Sequence, residues 1–296
     1  MKNFGGLCLF AAALLVTRTG NGQEVREVLE VPYGADPLQT LDLYLPAHVE
    51  GKRPAVIWIH GGGWREGDKR TGSNQIGTFA SDLVKRGYVA VSCNYRLVPK
   101  HTHPSQIDDA QRVVRWLRQQ ADKYHIDPER IGAAGISAGG HLAAMLAVKS
   151  AHQPQGDALD AFSSRVNAAV SLAGPSDFSD RPELITPTIN DALLGVAGGS
   201  ADRLKEIRAE LSPITYVTRD AAPLLLIVGT KDPWVPNLHA DVMADALRKN
   251  QVETSVLRLE GQGHGIFPSV VPEARDATLD WFDRRLKKTT REPETF

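Results

Sequence analysis

Short apolar runs alternate with longer amphipathic stretches along most of the chain. Residues 25–31 and 41–45 read as β-strands separated by Gly34-Ala35-Asp36-Pro37, a turn composition that predicts a hairpin. Residues 55–59 and 88–92 are apolar at consecutive positions, as strands buried on both faces require, and 131–135, 166–172, 223–228 and 254–259 continue the series. Helical patterns lie between them at 107–120, 141–149, 239–250 and 273–287. Strand, helix, strand in that order demands a largely parallel sheet covered on both sides. The expected fold is therefore α/β: a mostly parallel eight-stranded sheet, an antiparallel N-terminal hairpin and helices on both faces.

The start of the chain follows a different pattern. Lys2 precedes an unbroken apolar run over 7–16, which Arg18, Thr19 and Gly20 end, and Gly20-Asn21-Gly22 offers small residues before Gln23. This is the form of a cleavable leader, so 1–22 is expected to be a signal peptide and 23–296 a single α/β domain of a secreted or periplasmic protein. The run is too short to span a bilayer, and no stable membrane insertion is expected. Cys8 lies inside the run, so cleavage leaves Cys93 alone and excludes an intrachain disulfide.

Composition removes further classes. The 296 residues carry 34 Lys+Arg against 35 Asp+Glu, a formal net charge of −1, with 42% apolar residues. A neutral chain without a basic run lacks the footprint of a nucleic-acid binder, and its apolar content is that of a globular protein rather than a disordered one.

Candidate chemistry collects where strands end. Gly135-Ile136-Ser137-Ala138-Gly139 follows an apolar strand and opens a helical stretch, the context in which G-x-S-x-G forms a sharp elbow presenting a nucleophilic serine. A serine hydroxyl needs a base to take its proton, and the base needs a partner that fixes its tautomer. His264, in Gly261-Gln262-Gly263-His264-Gly265, follows the strand 254–259. Asp232, in Gly229-Thr230-Lys231-Asp232-Pro233, follows the strand 223–228. Ser137, Asp232 and His264 thus occur in the chain order of α/β-hydrolase triads. Asp177 is a rival acid, placed after the strand 166–172. His48, His101, His103, His125, His152 and His239 lack a glycine-flanked loop after a strand, and His141 is expected to pack beneath the site. His101 and His103 have no third ligand at metal-binding spacing, so no metal and no cofactor are expected.

His60-Gly61-Gly62-Gly63-Trp64 follows the strand 55–59, and its glycines let backbone amides turn toward a ligand. It lacks the Lys-Ser/Thr of a phosphate-binding loop. The amides of Gly62, Gly63 and Ala138 are the expected oxyanion donors. Trp64, Ile136, Trp234, Ile266 and Phe267 are candidate apolar walls for the substrate.

His60 to Trp64, Asn94-Tyr95-Arg96-Leu97-Val98-Pro99, residues 104–109 and Gly135 to Gly139 together resemble the α/β-hydrolase esterases of the hormone-sensitive-lipase type. More closely they resemble the bifunctional feruloyl and acetylxylan esterase branch. The resemblance implies the triad and oxyanion residues named above, scaffold roles for Tyr95, Arg96 and Asp109, and acetyl or feruloyl esters on plant-wall carbohydrate as substrates, with small-molecule esters equally compatible. The chain departs from the hormone-sensitive-lipase pattern in one respect: residues 23–59 are too few for a helical cap ahead of the glycine loop. The only room for a lid is 177–212, expected as a short helix-and-loop insertion over an open site. A prolyl-oligopeptidase-like peptidase, a formamidase-like amide hydrolase, a silent binding module of the same fold and a membrane-surface lipase are the alternatives. The sequence does not set the oligomeric state.

Overall fold

Each interior strand sends alternate side chains to opposite faces, and both faces are buried. In β4 (Arg53–Ile59), Ala55, Ile57 and Ile59 join one apolar cluster while Val56 and Trp58 join another. That two-sided burial explains why these strands are apolar at successive positions instead of alternating.

The computed structural model describes residues 14–18, 25–48, 50–70, 76–149 and 154–287, with backbone alone for 14–18. The strands are β1 (Leu14–Arg18), β2 (Val25–Pro32), β3 (Thr40–Pro46), β4, β5 (Val89–Cys93), β6 (Ile126–Ile136), β7 (Ala168–Leu172), β8 (Leu224–Gly229) and β9 (Thr254–Leu259). Their order is β1-β2-β3-β5-β4-β6-β7-β8-β9. β1, β2, β3 and β5 pair antiparallel in succession, and the remaining pairs are parallel. Eight of these strands are those expected. The ninth, β1, adds an outer antiparallel strand from within the segment read as a leader; the rest of that segment, 1–13 and 19–22, lies outside the described residues.

The helices are α1 (Gly77–Lys85), α2 (Ser105–Gln119), α3 (Ala138–Val148), α4 (Pro187–Val196), α5 (Ala201–Leu211), α6 (Leu238–Lys249) and α7 (Pro272–Leu286). Core residues of α2, α3 and α6 belong to one face, and those of α1 and α7 to the other. α3 is buried along its whole length, which accounts for a sequence that is apolar all round. The insertion 177–212 carries α4 and α5, each with a side-chain N-cap: Thr186 accepts from Ile189 N, and Ser200 from Arg203 N. α1 was not expected from the sequence. Cys93 is free and buried, and burial pushes its thiol up to about 12.

Candidate active site

Loops following β4, β6, β7, β8 and β9 meet α4 around a cleft of about 810 Å³. Gly62, Gly63, Ser137, Ala138, Trp234 and His264 all line it. Openings at the C-terminal ends of parallel strands are where α/β sheets bind ligands.

Ser137 sits between β6 and α3 with φ 57° and ψ −120°, a strained conformation for a residue with a side chain. Two backbone hydrogen bonds hold it there: Ser137 N donates to Leu172 O at 2.8 Å, and His141 N donates to Ser137 O at 2.9 Å. The flanking glycines are required by close approach rather than by flexibility. A Cβ on Gly139 would lie 2.0 Å from Ile59 O, and one on Gly135 would lie 2.4 Å from Gly139 O.

Asp232 is fixed by the turn after β8. Its Oδ1 accepts from Trp234 N at 2.8 Å and Val235 N at 3.0 Å, while Oδ2 lies 2.7 Å from His264 Nδ1. The carboxylate side chain is 1% exposed and the imidazole 12%. An Nδ1–H donating to Asp232 leaves Nε2 as the basic nitrogen. The rival Asp177 does not line the cleft: Oδ1 accepts from Ser179 N at 2.8 Å, and Oδ2 pairs with Arg181 at 2.5 Å.

The glycine loop turns through three consecutive left-handed residues, Gly62 at φ 106°, Gly63 at φ 57° and Trp64 at φ 59°. Gly62 O accepts from both Arg65 N and Glu66 N, and a Cβ on Gly62 would lie 2.1 Å from Glu66 O. Successive amides in such a turn form a concave donor surface suited to an anionic oxygen. The loop is tied down at both ends. Tyr95 OH donates to His60 O at 3.0 Å while its ring stacks on His60 at 4.3 Å. Farther along, Lys69 N donates to Asn94 Oδ1 at 2.6 Å, Lys69 Nζ lies 3.1 Å from Glu30 Oε2, and Arg70 pairs with Asp42. Arg96 binds Asp109 at 2.7 Å, outside the cleft lining.

Three histidines packed behind the cleft are buried, and burial lowers each to about 4: His60, His141 and His239. His141 Nε2 lies 2.7 Å from Leu211 O, and His239 Nε2 lies 2.9 Å from Leu184 O. Both join the core to the inserted segment. Among the described residues no cluster of His, Cys, Asp or Glu could hold a metal ion, and no helix is long and apolar enough to cross a membrane.

The expected walls fare unequally. Trp234 lines the cleft at 51% exposure, with its ring 4.8 Å from that of His264. Trp64 lines it too, though it is 4% exposed and packs edge-on against His141 at 5.1 Å. Ile136 borders the cleft, but its side chain is fully buried in the core. Ile266 is not a wall. Its amide donates to His264 O in a tight turn, and its side chain is fully buried in the core shared with α7; Phe267 faces the cleft instead. Beyond the expected residues, α4 contributes Thr188, Ile189, Asp191 and Ala192 to the opposite rim. The Thr186-Pro187 start, an N-cap followed by a proline at the first helical position, is the signal that could have placed that helix.

A strained strand-to-helix serine turn, a histidine held by a carboxylate after later strands and a glycine loop facing them, all on this sheet, define an α/β-hydrolase-fold protein. The chain belongs to the BD-FAE family, whose profile matches residues 41–247. It is 35% identical over 240 residues to Esterase LipC of Mycobacterium tuberculosis, a match covering 79% of this chain but only 59% of LipC's own length. Among solved structures, it resembles a truncated form of a carbohydrate esterase from gut microbiota, with TM-score 0.78, 25% identity, and 87% of this chain and 95% of that chain covered. It also resembles esterase 2 of Thermogutta terrifontis phosphonylated by sarin, with TM-score 0.71, 27% identity, and 89% and 93% covered.

Proposed function

We propose that the protein is a secreted serine carboxylic-ester hydrolase that works through an acyl-enzyme on short-chain or carbohydrate-linked acetyl or feruloyl esters. The observation that carries this reading is the 2.7 Å Asp232–His264 contact on the same cleft as the strained Ser137 turn and the glycine loop. The carbohydrate-esterase neighbour, the sarin-modified neighbour and LipC support the reaction class. The apolar run over 7–16 supports export.

In the first half-reaction Ser137 Oγ attacks the ester carbonyl carbon while its proton passes to His264 Nε2. Asp232 holds the imidazole in the productive tautomer and balances the charge it gains. The carbonyl oxygen becomes an oxyanion, met by the amides of Gly62, Gly63 and Ala138. Collapse breaks the bond to the alcohol oxygen, which takes the proton from His264 and departs. Water then attacks the acyl-enzyme with His264 as base, releasing the acid and restoring Ser137.

The test is hydrolysis of p-nitrophenyl acetate by Ser137→Ala. Activity is expected to fall by roughly 1,000-fold or more with the circular dichroism spectrum unchanged. A near wild-type rate would overturn the reading.

A further inference from the structure

Trp234 is the exposed aromatic residue beside the catalytic machinery. Leaving about half of an indole in water forgoes much of the stabilisation that its burial would bring. Its backbone is nonetheless anchored, and its ring abuts the histidine. Trp234 N donates to Asp232 Oδ1 at 2.8 Å, Trp234 O accepts from Thr186 Oγ1 at 2.8 Å, and the ring meets His264 at 4.8 Å with an interplanar angle of 59°. A flat apolar face thus stands at the cleft beside the histidine, on a backbone tied to the Asp232 turn and to the N-cap of α4.

Its place relative to the reaction decides what it touches. An imidazole that protonates a departing alcohol must bring Nε2 within about 3 Å of the alcohol oxygen. The atoms attached to that oxygen therefore lie beside the imidazole, where Trp234 stands. The carbonyl oxygen of the ester meets the oxyanion amides instead, where the neighbour of Gly63 is Ala192 of α4. We propose that Trp234 is a specificity-determining residue for the leaving group, and that it selects esters of ring-bearing alcohols by stacking its indole on the ring face. This rests on the serine-esterase reading and adds to it the half of the substrate that Trp234 reads. A pyranose and an aryl ring share the chemistry, since each presents a flat face of C–H or π character.

The mechanism supplies a kinetic signature. The alcohol is present during acylation and has left before deacylation, so stacking contributes to kcat/KM and not to a deacylation-limited kcat. The experiment compares wild type, Trp234→Ala and Trp234→Phe on three esters with one acyl group: ethyl acetate, phenyl acetate and a mono-O-acetylated methyl xyloside. Trp234→Ala is expected to lose roughly 3- to 10-fold in kcat/KM on the ring esters relative to ethyl acetate, and Trp234→Phe to recover most of it. A selective loss on one ring ester supports the assignment and identifies the ring. Equal losses on all three, in an active wild-type background, would assign Trp234 to supporting Asp232 and His264 and overturn the proposal alone. A wild-type protein inert toward every acetate would overturn the esterase reading and the proposal together.

Discussion

On one side of the cleft, Ser137 is clamped between β6 and α3, where backbone meets backbone and even a methyl group on Gly139 would collide with the carbonyl of Ile59. On the other side, α4 and α5 bury only one stripe each, and the rim is joined by exposed contacts such as Arg65 Nη1 to Asp191 Oδ2 at 2.8 Å. The first side is built by the close packing of the central sheet. The second is a surface insertion hooked to the core by polar contacts, including His141 to Leu211 O and His239 to Leu184 O. Change is therefore tolerated unequally: the Ser137 turn occupies the rigid side, while the rim that frames the cleft can vary without disturbing the sheet.

Acid tests the buried histidines, of which His141 and His239 are the hooks, with the largest expected effect. Burial lowers His60, His141 and His239 from the usual 6.5 to about 4, so between these values the unfolded chain binds more protons than the folded one. The associated stability is fully present above pH 6.5 and is lost as pH falls toward 4. It amounts to on the order of 2 kcal/mol per histidine by pH 5. The urea midpoint is expected to fall steadily from pH 7 to pH 5, and hydrogen exchange in α4 and α5 to quicken ahead of α3. A constant midpoint over that range would break this part of the comparison.

Gly139→Ala probes the rigid side directly. Its Cβ meets backbone that cannot step aside, so a loss of about 1–3 kcal/mol in unfolding free energy is expected, with a larger proportional loss in the proposed hydrolysis of p-nitrophenyl acetate. Unchanged stability and activity would mean that the elbow is looser than its contacts indicate. The smallest effect belongs to Arg65→Ala, which removes an exposed ion pair and should cost under about 1 kcal/mol. A cost as large as that of Gly139→Ala would erase the contrast between the two sides.

The same contrast explains what could be read from the sequence. The interior strands β4 to β8 are visible through the unbroken apolar runs of two-sided burial, β2, β3 and β9 through short β-forming runs bounded by turns, α2, α6 and α7 through their periodic apolar positions, and α3 through its wholly apolar stretch after the elbow. Ser137, Asp232 and His264 are legible because each follows a strand and sits among glycines or in a turn, constraints that act locally. α1 is harder to see: its core positions Phe79, Ala80, Leu83 and Val84 span little more than one turn of a nine-residue helix. The walls depend on which way a side chain points after a turn, a tertiary property. Ile266 therefore reads as a wall beside His264, whereas the turn from His264 O to Ile266 N folds it into the core. The Thr186-Pro187 start marks where α4 begins, but its place on the rim comes from packing against the core, a tertiary property.

Ser137 stands as the proposed nucleophile, activated by the Asp232–His264 pair. Its most direct test is peptide mapping by mass spectrometry after incubation with a fluorophosphonate. A single adduct on Ser137 is expected, formed far more slowly in His264→Ala. An adduct on another residue, or none on an active protein, would contradict it.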